Sequence, residues 1–340
     1  MAVWDIKERY KKVRGNDIRG QRALWGGGSV PSAVSDVIDY ITVATTGNAT
    51  DFGNLSVARS RTGSNFSSHS RGVFGGGTEP AYSNVVDYVT IATTGNAADF
   101  GNLSVARIGV LGASNNVRGL FGGGQLDNPY ATVNTIDYFA IAQTGNSTDF
   151  GDLTETQYAG GAVQSPTRAV FHNGSAPSNT NVMNYVQFST TGNAVDFGDS
   201  TVAKEGRKGV SSHTRGVMGA GDPSQVNTID TIQIATLGDA VDFGDLTVGR
   251  AYPGATSNSI RGVFGGGNSP VNPTNIIDYV TIASSSNATD FGDLSVARNV
   301  VDACSSGHGG IDQDVIQRPS VTYMPGSGRA LSGGGQEPSN

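Results

Sequence analysis

One block recurs six times along this 340-residue chain, and its period constrains the fold more than any other feature. The first copy reads TGNATDFGNLSVAR over residues 46–59. The Asp-Phe-Gly aspartates are Asp51, Asp99, Asp149, Asp196, Asp242 and Asp290, separated by 48, 50, 47, 46 and 48 residues. A second block keeps the same phase: RALWGGG at Arg22, RGVFGGG at Arg71, RGLFGGG at Arg118, RAVFHNG at Arg168, RGVMGAG at Arg215 and RGVFGGG at Arg261. RALSGGG at Arg329 is an outlying seventh copy. A third block follows each glycine run, as in VIDYITVATTG at Val37 and VVDYVTIATTG at Val85. A period of roughly 40–50 residues marks a solenoid or a propeller.

Short β-branched runs bounded by Gly, Asn and Ser decide between them, because they predict strands. Each unit supplies four: the stretch after an arginine, the glycine-run strand, the Ile-Asp-Tyr strand and the Asp-Phe-Gly strand. In VVDYVTIAT, Val85, Asp87, Val89 and Ile91 share one face, and Val86, Tyr88, Thr90 and Ala92 the other. Bulk on both faces suits a blade packed between two neighbours. Glycine in a strand marks close backbone approach. The expected fold is all-β, a six-bladed propeller over residues 20–306, with seven blades also compatible. Residues 1–19 form an N-terminal arm, and residues 307–340 an extension or partial extra blade. Only five first strands lie between the six Asp-Phe-Gly blocks. NVVDACSS, residues 299–306, is the sixth, and its expected partner is the glycine-run strand at Arg22.

Composition narrows the functions. Charged residues are 15% of the chain and the net charge is −7. No broad basic face is present, which argues against a nucleic-acid partner. Cys304 is alone, so no internal disulfide can form. The opening MAVWDIKERYKK lacks the apolar core of a secretory signal. No run approaches about 20 apolar residues, so no membrane insertion is expected.

The chemical motifs yield to the repeat. Asp-Phe-Gly holds magnesium in protein kinases, but the accompanying kinase signatures are missing. Six copies point to a structural role: a turn entering the outer strand, with Asp capping it and Phe buried between blades. The glycine runs lack the Lys-Ser/Thr and helix of a phosphate loop. His69, His172, His213 and His308 are spread singly and are expected at the surface or in loops, without a metal. No catalytic residue, cofactor or metal site is expected, and the chain is read as a non-enzyme.

Binding is expected where units differ. The links between glycine run and Ile-Asp-Tyr strand vary while their flanks repeat. Candidate ligand residues there are Tyr82, Asn84, Asp127, Asn128, Tyr130, Asn179, Gln225, Asn268 and Asn272. In the arm, Trp4, Ile6, Tyr10 and Val13 are the candidate docking residues, with Ile6, Tyr10 and Val13 at helical spacing. A helix this short needs a partner surface.

The units resemble kelch repeats, in which an aromatic precedes a di-glycine. Phe74-Gly75-Gly76, Phe121-Gly122-Gly123 and Phe264-Gly265-Gly266 match that feature, and Arg59, Arg107, Arg250 and Arg298 match a common arginine. The family's tryptophan after the third strand is absent. Integrin-type FG-GAP repeats share the DFGDLTV wording, but their calcium loop is missing. The wording TTGNATDFGDLTVAR…TRGVFGGG is similar to repeats in virion structural proteins of marine tailed phages, cyanophages in particular. That resemblance covers nearly the whole chain. It implies a virion component made in the host cytoplasm: tail, fibre or baseplate, or a capsid-surface decoration. It implies other virion proteins or copies of itself as partners. A carbohydrate or host-receptor module is the alternative.

Overall fold

The computed structural model describes residues 21–311 apart from Glu79, Ala176 and Val271. Six antiparallel four-stranded sheets stand around one axis, a six-bladed β-propeller, with no helix among the described residues. The inner strands are Phe66–Ser67, Leu111–Ser114, Gly161–Gln164, Lys208–Ser211, Gly254–Ser257 and Asp302–Ser305. They neighbour one another in an unbroken circle.

The last described strand belongs to the first blade. Asp302–Ser305 pairs with Arg22–Gly26, matching Leu24 to Cys304 and Trp25 to Ala303. The order of blade 1 is therefore Asp302–Ser305, Arg22–Gly26, Val37–Thr42 and Thr50–Asn54. The ring closes within one chain. The outlying RALSGGG block and the arm lie outside the described residues.

The core is six separate clusters, one in each joint between blades. Each joint buries the Phe of one Asp-Phe-Gly: Phe52, Phe100, Phe150, Phe197, Phe243 and Phe291. Area removed from water drives this packing, so a blade alone cannot hold its shape. The glycine runs follow from the same contacts. A Cβ on Gly26 would stand 2.6 Å from the Phe74 ring, and one on Gly265 would stand 2.8 Å from Trp25 Nε1.

Asp-Phe-Gly lies inside the outer strand, not in a turn before it, which corrects the sequence expectation. In blade 1 the pairing runs Ile38 to Gly53 and then Asp39 to Asp51, so Phe52 is an extra residue. The bulge rotates Phe52 into the joint. Asp51 is exposed. The turn itself is Thr-Gly-Asn, and it clasps the previous blade. Gly95 N donates to Phe52 O at 2.8 Å, and Ala97 N to Asn54 O at 2.8 Å. Asn96 Oδ1 accepts from Asn54 N at 3.1 Å. Across the closing joint, Gly47 N donates to Phe291 O at 2.8 Å, and Asn48 Oδ1 accepts from Asp293 N at 3.2 Å. A Cβ on Gly53 would run into the backbone of Gly95, so the glycine is obligatory.

Candidate functional site: an axial mouth opposite a plugged face

The repeated charged residues are used inside the joints. Arg59 pairs with Asp87, Arg107 with Asp137, Arg250 with Asp278 and Arg298 with Asp39, all at 2.6–2.9 Å and buried. The same arginines donate to neighbouring backbone carbonyls, as Arg107 Nη2 does to Phe121 O at 3.2 Å. Burial alone would lower the Arg107 pKa, and the Asp137 charge opposes that shift. A serine or threonine from the preceding blade adds a bond to each acid, such as Ser104 Oγ to Asp137 at 2.9 Å.

Two joints depart from this scheme. Where blade 3 meets blade 4, Gln157 and Asn184 occupy the paired positions, so cation and anion are replaced together. Thr154 Oγ1 still donates to Asn184 Oδ1. Where blade 4 meets blade 5, Lys204 stands at the arginine position. Arg207, three residues later, reaches Asp230 at 3.0 Å instead. Both exceptions keep the buried charge balanced, as a low-dielectric joint demands.

A second ring of arginines braces the outer half. Arg71 Nη1 donates to Ile141 O at 2.9 Å while its guanidinium lies 4.8 Å from the Tyr88 ring centroid. Blade 5 has Thr231 where the other blades have this tyrosine. Arg215 turns toward Phe243 at 5.6 Å, and a cavity of about 190 Å³ opens beside Thr231.

The axis is closed at one end. Inner-strand serines bond around it: Ser114 Oγ to Ser67 O at 2.8 Å, Ser67 Oγ to Ser305 O at 2.6 Å and Ser257 Oγ to Ser211 O at 2.8 Å. Residues 306–311 cross this ring. His308 Nε2 lies 3.1 Å from Ser67 O and 3.0 Å from Ser114 Oγ. Its Nδ1 accepts from Gly310 N at 3.0 Å, which selects the neutral ring with the proton on Nε2. Burial pushes the His308 pKa down to about 4. A Cβ on Gly310 would strike Ser114 O, so glycine lets the segment pass. His69 and His213 hold its two ends through Ser306 O and Ile311 O, at 3.3 and 2.9 Å. The expectation of histidines at the surface or in loops fails for His172, fully buried in a strand, while His308 lies in a loop but is buried there. Both are neutral packing groups, and burial brings His172 to about 3.

The antiparallel order of each blade assigns the two faces. Inner-to-second links and third-to-outer turns share the plugged face. Second-to-third links and the crossings to the next blade share the other. There the axis opens into a mouth of about 200 Å³, lined by Arg61, Ile108, Tyr158, Glu205, Lys208, Tyr252 and Asp302 among others. Tyr252 Oη donates to Glu205 Oε1 at 2.8 Å. Burial, with the Glu205 charge second, raises the Tyr252 hydroxyl pKa. On the floor, Lys208 Nζ lies 3.4 Å from Asp302 Oδ1, 3.3 Å from Gly160 O and 3.4 Å from Ser64 Oγ. Thr62 Oγ1 donates to Asp302 Oδ2 at 2.5 Å. Burial raises the Asp302 pKa, and Lys208 opposes it.

The candidate loop residues sit on this open face but do not form one cluster. Tyr82, Asp127 and Tyr130 gather near Arg61: burial raises the Tyr82 hydroxyl pKa, Tyr130 and Asp127 add to it, and Arg61 opposes it. Tyr130 is 72% exposed. Asn84 instead supplies a carbonyl to Leu103 N at 2.8 Å, a contact within blade 2. Asn128 precedes a cis proline. Asn179 Nδ2 donates to Asp222 O at 3.0 Å, tying blade 4 to blade 5, and Gln225 Nε2 donates to Asp222 Oδ1 at 3.3 Å within blade 5. Asn268 pairs through its backbone with Ala251, and Asn272 with Ser269. Trp4, Ile6, Tyr10 and Val13 lie outside the described residues.

Sequence reasoning missed Tyr158, Glu205, Lys208, Tyr252 and Asp302. Their signal was present: they fall 9–12 residues after the aspartate of each Asp-Phe-Gly, where the units stop agreeing. No family model matches the sequence, and no curated protein matches it.

Proposed function

We propose that this chain is a non-enzymatic structural component of a phage virion, a kelch-like propeller serving as a rigid carrier on the tail, fibre or baseplate. One observation carries the carrier reading: the described chain begins and ends on the same face. Arg22 N donates to Ser306 Oγ at 3.2 Å, and the 306–311 segment closes that face. Among the described residues, the opposite mouth is open to a partner. The N-terminal arm with Trp4, Ile6, Tyr10 and Val13 then attaches the ring to another virion protein or to a second copy. The repeat wording supports a phage particle, and the use of the repeated polar groups inside joints supports a scaffold.

Purified particles test this. Mass spectrometry and electron cryo-microscopy of intact virions are expected to find the chain at the tail, with its plugged face inward. A chain recovered only as free protein, with no assembly, overturns the proposal. Density on the capsid surface replaces the tail location with decoration.

A second reading is binding of a host-surface glycan. Its specific support is the mouth, where two tyrosine rings and both signs of charge meet around a cavity.

A further inference from the structure

The residue that leads each inner strand into the axis has a left-handed backbone in all six blades. These are Arg61, Gly109, Ala159, Gly206, Tyr252 and Val300, at φ of 56°, 63°, 59°, 67°, 53° and 50°. Two blades use glycine, so glycine satisfies the geometry. The other four carry side chains at a conformation that costs roughly 1–2 kcal/mol for an L-residue. Strain of this kind is retained where the side chain has work to do. Arg61, Ala159, Tyr252 and Val300 all line the mouth, alongside Tyr158.

The two tyrosines are held in place. A Cβ on Gly206 would lie 3.1 Å from the Tyr252 ring, and one on Gly109 would lie 3.2 Å from the Tyr158 ring. Each ring therefore rests on a bare glycine of the preceding crossing. Tyr252 is fixed further by its bond to Glu205. Little side-chain entropy remains to be lost on binding.

Size and charge select the ligand. About 200 Å³ exceeds the ~150 Å³ that admits a benzene and is below the roughly 300–1,000 Å³ of drug-sized sites. One six-membered ring fits. The lining balances Arg61 and Lys208 against Glu205 and Asp302, so no net charge favours an ion. Lys208 Nζ has its partners at 3.3–3.4 Å, longer than the ~2.7–2.9 Å of a good charged hydrogen bond. An incoming oxygen can replace one of these long contacts as an acceptor for its three N–H donors. Glu205 accepts from hydroxyls, and the tyrosine faces take the C–H side of a saturated ring.

We propose that the axial mouth binds one neutral pyranose, the terminal residue of a glycan, between Tyr158 and Tyr252. The proposal rests on the glycan-binding reading and is independent of where the chain sits on a particle.

Saturation-transfer NMR on the full chain tests it, using the methyl glycosides of glucose, galactose, mannose and N-acetylglucosamine, with glucuronate and sialate as acidic controls. At least one neutral sugar is expected to receive transfer, and the acids are not. Tyr252→Gly removes the ring but suits the backbone, so it is expected to keep or raise the melting temperature while weakening binding by about tenfold or more. Tyr158→Ala is expected to weaken the same sugar. No transfer to any neutral sugar, preference for the acids, or binding unchanged in Tyr252→Gly overturns the proposal. Any of these leaves the virion reading standing if the chain is still found in particles.

Discussion

The Arg298 guanidinium donates to the Asp39 carboxylate at 2.6 Å, joining the last blade to the first through a pair buried on both sides. The same bond recurs between adjacent blades elsewhere, so closing the ring uses no special chemistry. What distinguishes the closing joint is Trp25, whose Nε1 donates to Gly254 O at 3.1 Å where other blades place phenylalanine or methionine.

The joint of Gln157 and Asn184 predicts how the ion pairs respond to mutation. Arg107→Gln alone strands the buried Asp137 and is expected to cost about 3–5 kcal/mol. Arg107→Gln with Asp137→Asn reproduces the neutral joint and is expected to recover most of that loss. Urea midpoints of the two single variants and the double variant check this. Additive losses would count against it.

The outer clasp makes a steric prediction. Gly101→Ala places a methyl group on the backbone of Gly145, whereas the turn residue Gly95 has nothing within 4 Å of a Cβ. Both have positive φ. Gly101→Ala is expected to be the more destabilising, by at least about 2 kcal/mol, because rigid backbone cannot yield. Thermal melts of the two variants compare them directly.

Acid acts through His308. Its folded pKa, about 4, lies below the ordinary 6.5, so the folded state holds fewer protons. Its contribution is complete above about pH 6.5, falls as pH drops toward 4 and changes no further below that. On this account acid weakens the plug by an amount on the order of 3 kcal/mol. His308→Gln is expected to reduce the slope of stability between these pH values, read from denaturant midpoints. His172 adds a similar slope that continues to lower pH.

Cys304 reports on closure. It lies in the closing strand, 2% exposed, and burial raises its thiol pKa. A thiol reagent is expected to label it only when that strand opens. Trp25→Phe removes the bond to Gly254 and is expected to speed labelling roughly fivefold, as one hydrogen bond would. An unchanged rate would mean that labelling follows some other motion.

The ring was legible because its determinants repeat. Six Phe residues at one phase and an orphan strand at Asp302 dictate six joints and a closing pair. Asp51 was misread because a bulge is invisible to a pattern of alternating residues: only pairing to Asp39 shows that Phe52 is extra. The plug was missed because Gly-His-Gly-Gly reads as a loop until the axis exists to receive it. The mouth was missed for a related reason. Tyr158, Glu205 and Tyr252 come from different units, and each looks like drift until the ring brings them together. Tyr82 and Tyr130 stood out because they sit in plainly variable links, yet neither lines the mouth.

The repeated arginine pair has a consequence for the gene. Arg59, Arg107, Arg250 and Arg298 present the same contact to the next blade. Crossing over within one of these blocks leaves both junctions chemically whole. It still exchanges one sector of the mouth, because Arg61, Gly109, Tyr252 and Val300 travel with their blocks. Such a gene can recombine the lining of its mouth sector by sector without altering a boundary between blades.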